Sequence, residues 1–207
     1  MPAPRANRQA MLRRRAGLLV SAAVAGLLLL TASYLWLLGG TTPNTTPAIG
    51  GPFTLTSDTG KVVTDVDFRG RFLLVYFGYT SCPDICPTTL GAVADALDIL
   101  GSKAARLVPV FITVDPERDT PAILRAYVRS FSSRIIGLTG NAAQLRSVER
   151  AYHIRSRVHQ GGSEVVDYAV DHSAVLFLVA PDGHYVAPFA ATDDGPDIAK
   201  HLAYYIR

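Results

Sequence analysis

A chain of 207 residues, 49% of them hydrophobic, is long enough for one domain with a full core plus an appendage. Its net charge of +3 is an end effect: Arg5, Arg8, Arg13, Arg14 and Arg15 precede an apolar run, no acid occurs before Asp58, and the other 15 basic residues face 17 acidic ones. No basic stripe is left to neutralise a phosphate backbone, so a nucleic-acid partner is not expected.

Residues 16–38 carry no charged side chain. As a helix they would extend about 34 Å at ~1.5 Å per residue, enough to span a hydrocarbon core of about 30 Å. Tyr34 and Trp36 fall near its far end, where amphipathic rings favour the membrane interface. The arginines would hold residues 1–15 in the cytoplasm and send the rest of the chain across. A cleaved secretory signal would have a shorter apolar core and a small-residue cleavage site. This run ends instead in Tyr34-Leu35-Trp36-Leu37-Leu38 and reads as an uncleaved, single-pass anchor. No Arg- and Ser-rich transit segment precedes it, which favours a bacterial plasma membrane with the domain on the periplasmic side. Residues 39–52, rich in Gly, Thr and Pro, read as a linker, leaving 53–207 as the exported domain.

Within that domain, 53–56 and 61–66 form a short hairpin around Asp58-Thr59-Gly60. The continuous apolar run 72–77 reads as a buried strand, followed by a helix over 87–100 with Leu90, Val93, Ala94, Leu97 and Leu100 on one face. A second buried strand covers 107–114. A helix over 120–130 follows, with Asp119 or Thr120 as its cap and Pro121 in its first turn. A third helix spans 141–152. Strands 173–180 and 185–190 meet at Pro181-Asp182-Gly183, and a closing helix spans 197–206. This order predicts an α/β fold: a central sheet with parallel and antiparallel parts, covered by helices on both faces.

The two cysteines of the chain, Cys82 and Cys86, lie between the first buried strand and its helix. A helix N-terminus offers free N–H groups and the positive end of its dipole, which favours thiolate. If the segment is locally helical, residues four apart face each other, and small adjustments allow a disulfide or one metal ion between two sulfurs. A purely structural bridge is a poor explanation, because closing so short a loop removes little chain entropy. Thiol chemistry and metal binding both stay open.

Among the five histidines, His201 belongs to the closing helix, His184 follows a turn, His153 ends a helix, and His159 sits in a polar Gly-containing loop. His172 differs, because it lies between Asp171 and a strand entering the core, where the backbone is held. A copper site wants soft thiolates and imidazole, and Asp171 is near enough to orient a ring nitrogen.

Five stretches now carry a resemblance: Cys82-Pro83-Asp84-Ile85-Cys86-Pro87, Val114-Asp115-Pro116-Glu117-Arg118-Asp119-Thr120, Gly137-Leu138-Thr139-Gly140, Asp167-Tyr168 with Val170-Asp171-His172, and Pro181-Asp182-Gly183. In this order, from about Phe53 to the C-terminus, the chain resembles the Sco/SenC copper proteins. The resemblance implies a thioredoxin-like, copper-binding domain over 53–207, with one copper, Cu(I) or Cu(II), held by Cys82, Cys86 and His172. It implies a metallochaperone role in maturing the dinuclear copper centre of cytochrome c oxidase, whose copper-bearing subunit is then the partner. A copper donor and a thiol reductant complete the expected partners. Two thiolates and an imidazole make a low-coordinate, soft site suited to Cu(I), with an open side through which an acceptor can displace ligands.

Cys82 and Cys86 are equally a candidate redox pair. The alternative function is a thiol–disulfide oxidoreductase that keeps the client's copper-ligand cysteines reduced. The tryptophan that precedes the pair in typical thioredoxin-like reductases is missing, since Trp36 belongs to the anchor. A peroxidase reading fails because Pro83 stands where peroxiredoxins have Thr or Ser. The loop 115–118 follows the second strand on the cysteine side of the sheet and is a candidate docking surface, although Asp119, Thr120 and Pro121 would equally just start a helix.

Overall fold

The computed structural model describes residues 24–34, 49–154 and 175–206. The chain divides into two compact units, Met1–Thr46 and Pro47–Arg207. In the first, residues 24–34 form a helix (α1) whose Val24, Leu27, Leu28, Leu29 and Leu30 are all exposed. Among the described residues no helix is long and apolar enough to cross a membrane, and the rest of the expected span 16–38, residues 16–23 and 35–38, lies outside them.

The second unit is built on a seven-stranded sheet. Its strands are β1 (Thr54–Ser57), β2 (Val62–Thr64), β3 (Phe72–Gly78), β4 (Leu107–Thr113), β5 (Ile136–Thr139), β6 (Val175–Val179) and β7 (Tyr185–Ala190), in the spatial order β2-β1-β5-β4-β3-β6-β7. β3, β4 and β5 are parallel, whereas β6 runs antiparallel to β3 and β7 antiparallel to β6. The helices are α2 (Ile85–Leu100), α3 (Pro121–Arg129), α4 (Ala142–Ala151) and α5 (Gly195–Tyr205). The mixed sheet with flanking helices is the expected architecture. One feature was not expected: the β1–β2 hairpin extends the main sheet, with β1 pairing antiparallel to β5 through Thr56 and Thr139.

β3 and β4 form the centre because their side chains are apolar on both faces. All seven residues of β4 are buried, as are Leu73–Gly78 of β3. Phe111, Ile112, Leu138 and Leu178 have no exposed surface, and each contributes roughly 1.5–3 kcal/mol of apolar burial. Adjacent residues of β3 show the two faces. Tyr76 and Phe111 (centroids 6.0 Å apart) and then Tyr127 of α3 (5.6 Å from Phe111) stack on one side. Phe77 meets Tyr152, just after α4, at 5.3 Å on the other.

Helix starts follow local capping chemistry. Thr120 caps α3 by accepting from the N–H of Ile123 at 3.4 Å. Asn141 and Gln144 form a capping box on α4, and Asp194 accepts from Asp197 N–H at 2.9 Å at the start of α5. α2 begins at Ile85, two residues before the expected start at Pro87. Proline fits there because N–H groups of a helix's first turn have no intrahelical acceptor. α5 likewise starts at Gly195 rather than 197.

Candidate metal and thiol site

Because β3, β4 and β5 are parallel, the connections after them meet at one edge of the sheet. The cysteine loop leaves β3 at Gly78, and the 114–120 segment leaves β4 beside it, with Val114 N–H donating to the Gly78 carbonyl at 2.9 Å. Gly78 has a steric reason to be glycine. A Cβ there would lie 2.3 Å from the Phe111 ring and 2.9 Å from the sulfur of Cys86. The strand end must be bare for the sulfur to pack against it.

The loop turns where Cys82 N–H donates to the Tyr79 carbonyl at 3.1 Å. Cys82 lies before the helix and Cys86 is the second residue of α2, so the pair is not on one continuous helical face. They are still adjacent: Cys86 N–H, one of the free first-turn donors, points at the Cys82 sulfur at 3.4 Å. Asp84, at the cap position, makes no side-chain cap bond, so this sulfur takes part of that role. Both cysteines are free thiols, 9% and 0% exposed.

The expectation that the helix terminus favours thiolate is corrected at Cys86. Burial, with the neighbouring Cys82 sulfur adding to it, pushes the Cys86 thiol up from 9.0 to about 12. Desolvating the anion outweighs the first-turn field. The Tyr76 hydroxyl, 3.7 Å from the Cys86 sulfur, is the donor positioned to soften that penalty. Tyr76 itself is pushed above the normal phenol range, first by burial and then by Cys86. Tyr79 and Tyr127 are raised by burial and by the cysteine pair as well, so three phenols surround the two sulfurs.

The loop is pinned by a residue that the sequence offered as one of two caps for α3. Asp119 does not cap α3, which Thr120 does. Its carboxylate is fully buried and accepts from Thr80 N–H at 3.0 Å, Thr80 hydroxyl at 2.5 Å and Thr113 hydroxyl at 2.5 Å. The end of β4 and the start of the cysteine loop are thereby tied to one side chain. Within the expected docking segment, Asp115 pairs with Arg118 and is 6% exposed, while Glu117 is exposed. The donors converging on Asp119 were invisible in sequence, because Asp-Thr-Pro also spells a helix start.

Three histidines have other positions. His201 packs on Phe189 at 5.8 Å, His184 bonds Asp182 through Nδ1 at 2.5 Å on the surface, and His153 follows α4 with a left-handed backbone (φ 58°). His159, Asp171 and His172 lie outside the described residues. Among the described residues no group of three or more His, Cys, Asp or Glu side chains is arranged to hold a metal ion. The two sulfurs, soft and adjacent at an enclosed mouth, fit a soft monovalent cation as part of a donor set.

Comparison with known proteins follows the same lines. The family model SCO1/SenC matches residues 41–207. The human protein SCO1 homolog, mitochondrial, is 39% identical over 165 residues, covering 78% of this chain and 54% of that protein, so the chain spans about half the length of this relative. Among solved structures, Bradyrhizobium japonicum ScoI with copper bound aligns with a TM-score of 0.69 at 38% identity, covering 76% of this chain and 99% of that one. Arabidopsis thaliana ScoI with copper bound aligns with a TM-score of 0.71 at 37% identity, covering 77% and 99%.

Proposed function

The chain belongs to the SCO1/SenC family, and from that premise we propose that it is a membrane-anchored copper-binding metallochaperone that assists copper insertion into the dinuclear centre of cytochrome c oxidase. Copper is its cargo, one ion per chain, held by Cys82, Cys86 and His172. The observation that carries this reading is the pair of free sulfurs at the C-terminal edge of the parallel strands, linked by the Cys86 N–H contact to Cys82. Solved relatives with bound copper support it. So does the position of β6. Its first residue, Val175, comes three residues after His172, and its Leu176 pairs with Tyr76, whose hydroxyl reaches Cys86. Three residues of chain reach about 10 Å, enough to bring an imidazole to the pair.

The protein's own groups divide the work. Cys86 is fixed in the core, Cys82 sits nearer solvent, and the Asp119 clamp holds Thr80 in the segment that leads into Cys82. An acceptor's thiolate approaches from the Cys82 side and takes over ligands one at a time. In the proposed topology residues 1–15 are cytoplasmic, 16–38 form the anchor, 39–52 the linker, and 53–207 the domain on the periplasmic face of a bacterial plasma membrane. The outward-facing leucines of α1 suit a lipid environment.

The second reading, reduction of the client's copper-ligand cysteines, uses the same pair, and the buried, protonated Cys86 thiol beside a more accessible Cys82 favours keeping it. His172→Ala separates the two. It removes one of three copper ligands and leaves both thiols, so copper affinity should fall by orders of magnitude while the disulfide still forms. Delivery then requires that the variant fail to restore oxidase assembly in a deletion strain. Full complementation with copper binding abolished would leave thiol exchange as the function.

A further inference from the structure

The edge of the domain opposite the cysteines has its own charge pattern. Arg69 and Arg71 lead into β3, Lys103 and Arg106 into β4, and Arg134 into β5, while Arg129 and Arg150 end α3 and α4; all are exposed. The acids on this edge are fewer and mostly engaged or buried: Asp65 with Arg69, Asp67 with Thr64, Asp182 with His184, the buried Glu149 in the last turn of α4, and Asp98 in the last turn of α2. At the cysteine edge the balance is reversed among the described residues, with Asp84, Asp115, Glu117, Asp119, Asp193, Asp194 and Asp197 around Arg118. Helix dipoles alone ask for acids at helix starts and bases at helix ends. They do not account for five bases in connections that lead into strands.

The chain also enters the domain at the basic edge. Gly50 N–H donates to the carbonyl of Ala151, the last residue of α4, at 2.8 Å. Gly51, Pro52 and Tyr152 line a niche with Arg69, Arg71, Leu73, which begins the β3–β6 pairing, and Val179, which ends it. The ten residues 39–48 between the expected anchor and Ile49 reach at most about 35 Å when extended, so the tether from the proposed anchor attaches at this edge.

We propose that this basic edge docks on the anionic phospholipid headgroups of the bilayer, so that the domain stands with its cysteine mouth facing away from the membrane. The inference rests on the reading of 16–38 as an anchor, which supplies proximity; the edge supplies orientation. Positive charge is drawn to the headgroups while the acidic cysteine edge is repelled, and both effects weaken with salt.

The experiment uses the full chain mixed with vesicles of phosphatidylcholine alone or with phosphatidylglycerol added, read by flotation and amide hydrogen exchange. On phosphatidylglycerol, peptides covering 101–106 and 129–135 should exchange several-fold more slowly, peptides covering 115–120 should not change, and about 0.5 M salt should remove the difference. A Lys103→Gln, Arg106→Gln, Arg134→Gln variant should lose the protection with its circular dichroism unchanged. Flotation on phosphatidylcholine reads the anchor by itself. A chain that floats there but shows equal exchange on both lipids, or protection at 115–120, keeps the anchor and overturns the docking edge. A chain that floats only on phosphatidylglycerol, with the edge protected, keeps the edge and overturns the anchor. Failure to float on either overturns both.

Discussion

The two arms of the cysteine loop are held by opposite means. The arm entering it, from Tyr79 to Cys82, is fixed by polar bonds: Thr80 gives its N–H and its hydroxyl to the buried Asp119. The arm leaving it, at Cys86, is fixed by apolar enclosure between bare Gly78, Phe111 and the first turn of α2. A polar clamp sets direction and fails sharply when one partner goes, because the others are left unsatisfied in the interior. An apolar pocket sets position and yields gradually with lost volume.

The largest test removes the sulfurs. Cys82→Ser and Cys86→Ser should each lower Cu(I) affinity by several orders of magnitude in a chelator competition, since each removes a proposed soft ligand. They should differ in stability: Cys86→Ser places a hydroxyl in a fully buried site and should lower the urea midpoint, whereas Cys82→Ser should leave it nearly unchanged. Equal midpoints would erase the contrast between the arms.

Next comes Asp119→Ala, which strips acceptors from one N–H and two hydroxyls and should cost about 3 kcal/mol in urea unfolding. Amide exchange should accelerate at 79–82 and stay slow in the middle of α2. Uniform acceleration across both would show that one arm supports the other.

The alkaline limb gives a smaller effect. The Cys86 thiol is raised in the folded state, so the native domain holds its proton where an unfolded chain would release it. This contribution is fully present below pH about 9 and is lost as pH rises through about 12, so the reduced protein should lose stability across that window. Cys86→Ala should flatten the part of the curve due to this thiol, and an unaltered slope would remove desolvation at Cys86 as its cause. At neutral pH an alkylating agent should label Cys82 before Cys86.

Smallest is Tyr76→Phe, which deletes the hydroxyl facing Cys86 and keeps the ring. About 1 kcal/mol or less of stability should change, with Cys86 alkylating more slowly still. Faster alkylation would mean that the phenol shields the sulfur and does not assist its ionisation.

Much of this was legible in the chain. β3 and β4 announce themselves as apolar runs, and the position of Cys82 and Cys86 after one of them places the pair at a strand-to-helix junction. The helix of Asn141 and the turn at Pro181-Asp182-Gly183 follow from local chemistry. What stayed hidden depends on distant partners. Asp119 and Thr120 read equally as the cap of α3, and only the contact of Asp119 with Thr80 tells them apart. Gly78 reads as a strand end until Phe111 and Cys86 are set around it. The thiolate expectation rested on the helix terminus, which sequence displays, and left out burial, which it does not.

The Asp119 clamp joins residues 39 apart in the chain. Contacts of that span form only after the intervening β3–α2–β4 segment has closed, since loop entropy must be overcome first. During folding the cysteine loop therefore takes its final shape only once β3 and β4 lie side by side. A partially folded chain presents two ordinary thiols; only a finished domain presents a fixed pair. An acceptor or reductant that recognises the fixed geometry is thus reading whether β3, α2 and β4 have assembled around the clamp.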